Sequence, residues 1–253
     1  MQTTKADRPL SRGEAVSLRC IRIADRVVQT GMDITFLLIL LIGLYFLADT
    51  MHVYYNARAA VTMPHKPAAS DDVAVLKELS EDCVGWVTID NTSIDYPVMQ
   101  GIDNYEYLNK DPYGAYSLAG SVFLDSRNAS DFTDDYSILY GHHMSGGFMF
   151  GALDAFEEER FFQEHLEGDL FTSRGDLPIR VLAFVYTDAS NELVFDPQYE
   201  GAEVLPEWIR ENALHYNARA EGGRIVALST CKSPTSTRRL IVFVTIEESE
   251  DEE

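Results

Sequence analysis

One stretch of the chain, ALSTCKSPTSTRRLIVFVTI at 227–246, holds residue types that could cooperate in acyl transfer. Cys231 closes one apolar run, and Arg238 and Arg239 open the next. A thiolate is a strong nucleophile, but a free thiol with a pKa of about 8.5 is only a few per cent ionised near neutrality. It therefore needs positive charge nearby and an acid–base partner. Lys232, Arg238 and Arg239 supply the charge. A guanidinium, always ionised and rigid, is also suited to hold a developing oxyanion. Alternation along RRLIVFV lets only one of Arg238 and Arg239 face a cleft, and parity alone does not choose between them.

Histidine is the usual acid–base partner, and the chain has six. His52 and His65 fall in or just after an N-terminal apolar segment, and His165 and His215 fall in stretches with helical periodicity. His142 and His143 differ, because ILYGHHMSGGFMFG places them between a strand end and a glycine-rich turn, where an imidazole can reach a cleft. The other cysteines lack such surroundings. Cys20 precedes the apolar segment, and Cys83 sits in ELSEDCVGWV, where neighbouring carboxylates would raise a thiol's pKa and a packing role is expected. Three cysteines without a C-x-x-C pair or a His/Cys cluster give neither a disulfide framework nor a zinc site.

These residues must be carried by short strands. VGWVTI, IDYPVMQ, GSVFLD, YSILYG, IRVLAFVYT, RIVALST and RLIVFVTI are β-type runs separated by turn signals, as in a closed or sandwich-like β structure. In RIVALSTC, Ile225, Ala227 and Ser229 share a side with Cys231, while Val226, Leu228 and Thr230 take the other. Three segments read as helical: a short one at 71–79, and amphipathic ones at 148–166 and 205–220, the last with Pro206 near its start.

At the other end of the chain, residues 34–48 form an unbroken apolar run. Flanking residues extend it to 34–55, long enough to approach the roughly 30 Å hydrocarbon core of a bilayer. Lys5, Arg8, Arg12, Arg19, Arg22 and Arg26 precede it, so the positive-inside rule puts residues 1–33 in the cytoplasm and everything beyond the span outside. A cleaved signal peptide is the competing reading, but the segment before the run is too long for an ordinary n-region. Residues 56–72 read as a linker, 73–246 as the globular domain that carries the strands and 247–253, EESEDEE after Ile246, as an acidic disordered tail. The net charge of −21 argues against nucleic acid as a partner, since binding it requires Lys and Arg against phosphates.

In order along the chain, VGWVTIDNTSIDYPVMQ, DNYEYL, GSVFLDSRN, ILYGHHM, MFGAL and LSTC followed by an arginine-led strand resemble the sortases, and specifically class B. Sortases are membrane-anchored cysteine transpeptidases of Gram-positive bacteria. The resemblance spans roughly 73–246. It implies a closed β-barrel of seven to eight strands with added helices, preceded by one transmembrane helix, and no metal or organic cofactor. It assigns catalysis to His142, Cys231 and Arg239, with His143 as a neighbour that orients the loop. It matches Asn104, Leu108 and Ser229 to substrate-groove positions. The implied partners are secreted proteins with a C-terminal sorting signal of the kind Asn-Pro-X-Thr-X, and an amine on a peptidoglycan precursor or a pilin. Lys232 and the short 232–238 loop depart from the pattern, an acidic residue standing at the first position in some class B members. A hydrolytic cysteine peptidase on the same scaffold and a non-catalytic surface module are the alternatives.

Overall fold

All seven β-type runs become strands of one sheet that closes on itself. The computed structural model describes residues 12–61, 74–231 and 237–247, so the loop containing Lys232 and most of the acidic tail lie outside the described residues. The strands are β1 (Cys83–Ile89), β2 (Asp95–Met99), β3 (Val122–Leu124), β4 (Tyr136–Tyr140), β5 (His143–Met144), β6 (Phe148–Met149), β7 (Glu167–Thr172), β8 (Gly175–Asp188), β9 (Ala213–Tyr216), β10 (Ile225–Cys231) and β11 (Arg238–Ile246). The order β11-β10-β4-β3-β2-β1-β7-β8 is closed by pairing of β8 with β11, and β9 is added on β8. β2 with β3 and β4 with β10 are parallel; the other pairings are antiparallel. The result is a mixed eight-stranded barrel with an extra strand.

Alternation along the strands sorts their side chains into an interior and an outer layer. Val226 and Leu228 of β10, Leu240, Val242 and Val244 of β11, and Val87 and Ile89 of β1 pack with Phe132, Phe150 and Phe184 in one buried cluster. The opposite parity, Ala227, Ile241 and Phe243, packs outward beneath α4 (Glu192–Phe195) and α5 (Leu205–Asn212) through Val194, Leu205 and Ile209. On β8, Leu182 and its neighbour Ala183 both join the outer layer, because a bulge there breaks the register with β11. Asn217 occupies the break: its N–H donates to the Leu182 carbonyl at 2.8 Å and its amide to the Val181 carbonyl at 2.9 Å. A third cluster, with Cys83, Trp86, Tyr107 and Phe171, lies under α2 (Ala74–Leu79) and its Leu76.

Two helical expectations change. Residues 148–166 form β6, a 3-10 helix at Phe150–Glu157 and then α3 (Glu159–Glu164), with Glu158 extended between the two helices. Phe150, Leu153 and Phe156 are fully buried at strict three-residue steps, the period of a 3-10 rather than an α-helix. Residues 205–220 are α-helical only through Asn212, and a short 3-10 turn follows at Ala218–Ala220. Beyond Arg180, β8 has outrun its β7 partner, and residues 213–216 cover the exposed edge as β9. β7 itself, EGDLFT, is too polar to announce a strand.

The chain divides into two compact units between His52 and Val53. The helix α1 (Arg12–Val61), of 50 residues, runs across that division, and its part from Val16 to His52 is long and apolar enough to cross a membrane.

Candidate active site

Three strand ends meet at one rim of the barrel. Cys231 is the last residue of β10 and is paired directly with Arg239 near the start of β11. β4 runs parallel to β10 with Tyr140 opposite Ser229, and the Gly141 N–H continues the pairing to the Ser229 carbonyl at 3.2 Å. His142 and Cys231 therefore each lie two residues beyond a paired position on adjacent parallel strands, which are about 4.8 Å apart. Gly141 is required at this corner, since a Cβ there would fall 2.7 Å from the Phe150 ring. The loop after it is also packed closely: a Cβ on Gly151 would lie 2.0 Å from the Met144 carbonyl oxygen.

A cleft of about 340 Å³ opens over this rim. Asn104, Leu108, His142, Ser229 and Arg239 all line it, five of the six site residues expected from the sequence. For the sixth, Cys231, the backbone position is described and borders the lining residue Thr230. Tyr105, Phe123, Tyr140 and Phe195 form an aromatic wall, with Ala189 beside it, that periodicity alone did not single out.

Neighbouring residues of one type separate here. His142 Nε2 donates to the Leu108 carbonyl at 2.7 Å; a carbonyl can only accept, so this nitrogen carries the proton. His143 turns away to Asp154, with Nε2 2.7 Å from Oδ2. Arg239 lines the cleft, whereas exposed Arg238 stacks its guanidinium over the Tyr186 ring, 4.0 Å from the centroid. The structure thus resolves the parity question that the sequence left open.

Asp188 anchors Thr237, immediately before β11. Its Oδ2 accepts from the Thr237 hydroxyl at 2.6 Å, and the Ala189 N–H donates to the Thr237 carbonyl at 2.9 Å. The Thr237 hydroxyl, then the Ser190 hydroxyl and N–H, hold the Asp188 carboxyl down at about 2. Thr230, 3% exposed, has a buried hydroxyl with no hydrogen-bond partner among the described residues.

A second group, unnoticed in the sequence, lies behind the lining. Asp125, directly after β3, is fully buried, and its carboxylate accepts from Arg127 Nε (2.9 Å) and Nη2 (2.8 Å), the Arg127 N–H (3.0 Å), Asn104 Nδ2 (2.9 Å) and the Tyr140 hydroxyl (3.1 Å). Burial alone would raise this carboxyl; the Arg127 and Asn104 donors outweigh it and hold it below its ordinary value. Burial, then Asp125, push the Tyr140 hydroxyl up. The signal in the sequence was the Asp–Arg spacing in FLDSRN, which cannot be told from a solvated pair until the burial of Asp125 is known.

No family model matches the chain. It is 31% identical over 188 residues to sortase B of Listeria monocytogenes, covering 72% of this chain and 76% of that protein. The chain belongs to the sortase B family. Sortase B of Staphylococcus aureus is 29% identical over 177 residues, covering 68% of this chain and 72% of the relative. Among solved structures, a Streptococcus pyogenes class B sortase involved in pilus biogenesis is 40% identical, with a TM-score of 0.62 over 68% of this chain and 96% of the other. This sortase is accordingly a cysteine transpeptidase by family, and the mixed barrel described above is the sortase fold.

Proposed function

We propose that this sortase cleaves a C-terminal sorting signal after threonine through a thioacyl intermediate on Cys231 and transfers the acyl group to an amine. In this reading the Cys231 thiolate attacks the threonine carbonyl, forming the S–C bond, and Arg239 stabilises the tetrahedral oxyanion. Protonated His142 gives its proton to the amine that leaves as the C–N bond breaks. In the second half an acceptor amine attacks the thioester, loses its proton to His142 and releases the thiolate. Asn104, Leu108 and Ser229 are assigned to the peptide groove, and the Thr230 hydroxyl, without a partner among the described residues, is assigned to a peptide N–H or carbonyl.

The observation that carries this reading is that His142 and Arg239 line one cleft at the strand end where β10 delivers Cys231. The acceptor is assigned to a peptidoglycan precursor or a pilin lysine. α1 is assigned as an uncleaved anchor with its basic start in the cytoplasm. Tethering would then hold the enzyme at the outer membrane face, raising the effective concentration of a lipid-linked acceptor.

The test uses the full chain in detergent micelles with a fluorogenic Asn-Pro-Ala-Thr-Gly peptide, with and without triglycine. Amide product that depends on triglycine is expected. Acid product alone would identify a hydrolytic peptidase, and absence of cleavage across peptides varied at the two open positions would leave only a non-catalytic module.

A further inference from the structure

The Asp125–Arg127 pair takes no part in the proposed chemistry, yet it joins three separate chain segments that line the cleft. Through Asp125 it holds Asn104, whose Oδ1 also accepts from the Ser126 N–H at 2.8 Å, and Tyr140, two residues before His142. Through Arg127 it reaches the end of α4: Nη2 donates to the Phe195 carbonyl at 2.8 Å and Nη1 to Asp196 Oδ1 at 2.9 Å. Asn104, Tyr140 and Phe195 are all lining residues.

The two halves of this connection differ in strength. The Asp125 carboxylate is fully buried and meets a guanidinium fork, a geometry with directional and charge-assisted bonds. On the α4 side, Asp196 is 41% and Arg127 38% exposed, so that ion pair is screened and contributes little. The charged hydrogen bond to the Phe195 carbonyl is the stronger link there. One end is therefore fixed and the other can be released.

We propose that Asp125 and Arg127 are positioning residues for substrate: Asp125 fixes Arg127, and Arg127 latches the 189–196 segment to the Asn104 side of the cleft so that an extended peptide is gripped. This rests on reading the cleft as the peptide site. The latch acts on binding, and the thiolate chemistry of Cys231 proceeds without it. Lysine at 127 keeps the charge but lacks the planar fork, so it cannot serve Asp125 with two N–H groups and the Phe195 carbonyl together.

The experiment measures anisotropy of a fluorescein-labelled Asn-Pro-Ala-Thr-Gly peptide on the full chain in micelles. A Cys231→Ala background reads binding without turnover, and KM and kcat follow in the wild-type background. Arg127→Lys and Arg127→Gln are expected to raise Kd and KM about tenfold, the factor that loss of one charged hydrogen bond gives, and to leave kcat within about twofold. Asp196→Asn, exposed and safe for folding, is expected to raise Kd only about two- to threefold. The pH profile of Cys231 alkylation by iodoacetamide should not move in any of them. Unchanged Kd in the Arg127 variants would overturn the latch, as would a fall in kcat or thermal midpoint with KM unchanged, the pattern of a merely structural pair. Absence of peptide binding by the Cys231→Ala parent would also overturn it. Normal binding without turnover by the wild-type chain would sink the transpeptidase reading and leave the latch standing.

Discussion

β10 and β11 each pass from an apolar interior to the rim of a cleft that mixes aromatic and polar side chains, and different physics governs the two regions. Inside, Val226, Leu228, Val242 and Val244 are held by shape and by exclusion of water, and their roles follow from strand parity. At the rim, residues of one type diverge: His142 meets a backbone carbonyl while His143 meets Asp154, and Arg239 enters the cleft while Arg238 covers Tyr186. In the interior a residue is defined by its face. At the rim it is defined by the particular group it meets.

If that contrast holds, exchanging neighbours at the rim must give very unequal effects. The largest is expected at the histidines: His142→Gln should lower kcat/KM by about 10²–10⁴, the range for a lost general acid–base. His143→Gln removes only a partly exposed pair with Asp154 and should cost at most about threefold. Equal losses in the two variants would erase the distinction. In the interior, Phe184→Ala should reduce stability by about 3–5 kcal/mol in urea unfolding, while the folded fraction keeps its kcat below the transition.

The arginine pair comes next. Arg239→Ala should lower kcat by about 10²–10³, as for loss of one oxyanion donor, against less than about threefold for Arg238→Ala. The reverse ranking in a peptide-cleavage assay would exchange their roles.

The smallest effect belongs to the buried thiol under α2. Burial pushes Cys83 from 9.0 to about 11, so the unfolded chain loses this proton first as pH rises. Stability is therefore intact below pH 9, falls between 9 and about 11, and loses at most about 3 kcal/mol through this group. Cys83→Ala should flatten that alkaline limb in urea titrations. A limb of unchanged slope would mean that other groups cause it.

The same contrast explains what could be read from the chain. The seven barrel runs and the interior parity of β10 and β11 were legible because packing against apolar neighbours imposes a two-residue period. β9 was not, because ALHY becomes a strand only to cover an edge created by the different lengths of β7 and β8. Nor was the 3-10 stretch at Phe150–Glu157, whose three-residue steps also fit one face of an α-helix over so short a distance. At the rim, residue types suggested Cys231 and the His142–His143 pair, and only the family resemblance chose His142 and Arg239. Asp125 escaped notice because its importance comes from burial against Asn104, Arg127 and Tyr140, far apart in sequence except for Arg127.

The central claim is that Cys231 carries the acyl group, and intact-protein mass spectrometry with tandem fragmentation tests it most directly. The full chain, incubated with the Asn-Pro-Ala-Thr-Gly peptide without acceptor and quenched in acid, should carry one thioester-linked acyl group on Cys231. Triglycine should discharge it into an amide, and Cys231→Ala should show no adduct. An adduct on Cys20 or Cys83, or peptide cleavage that persists in Cys231→Ala, would contradict the account.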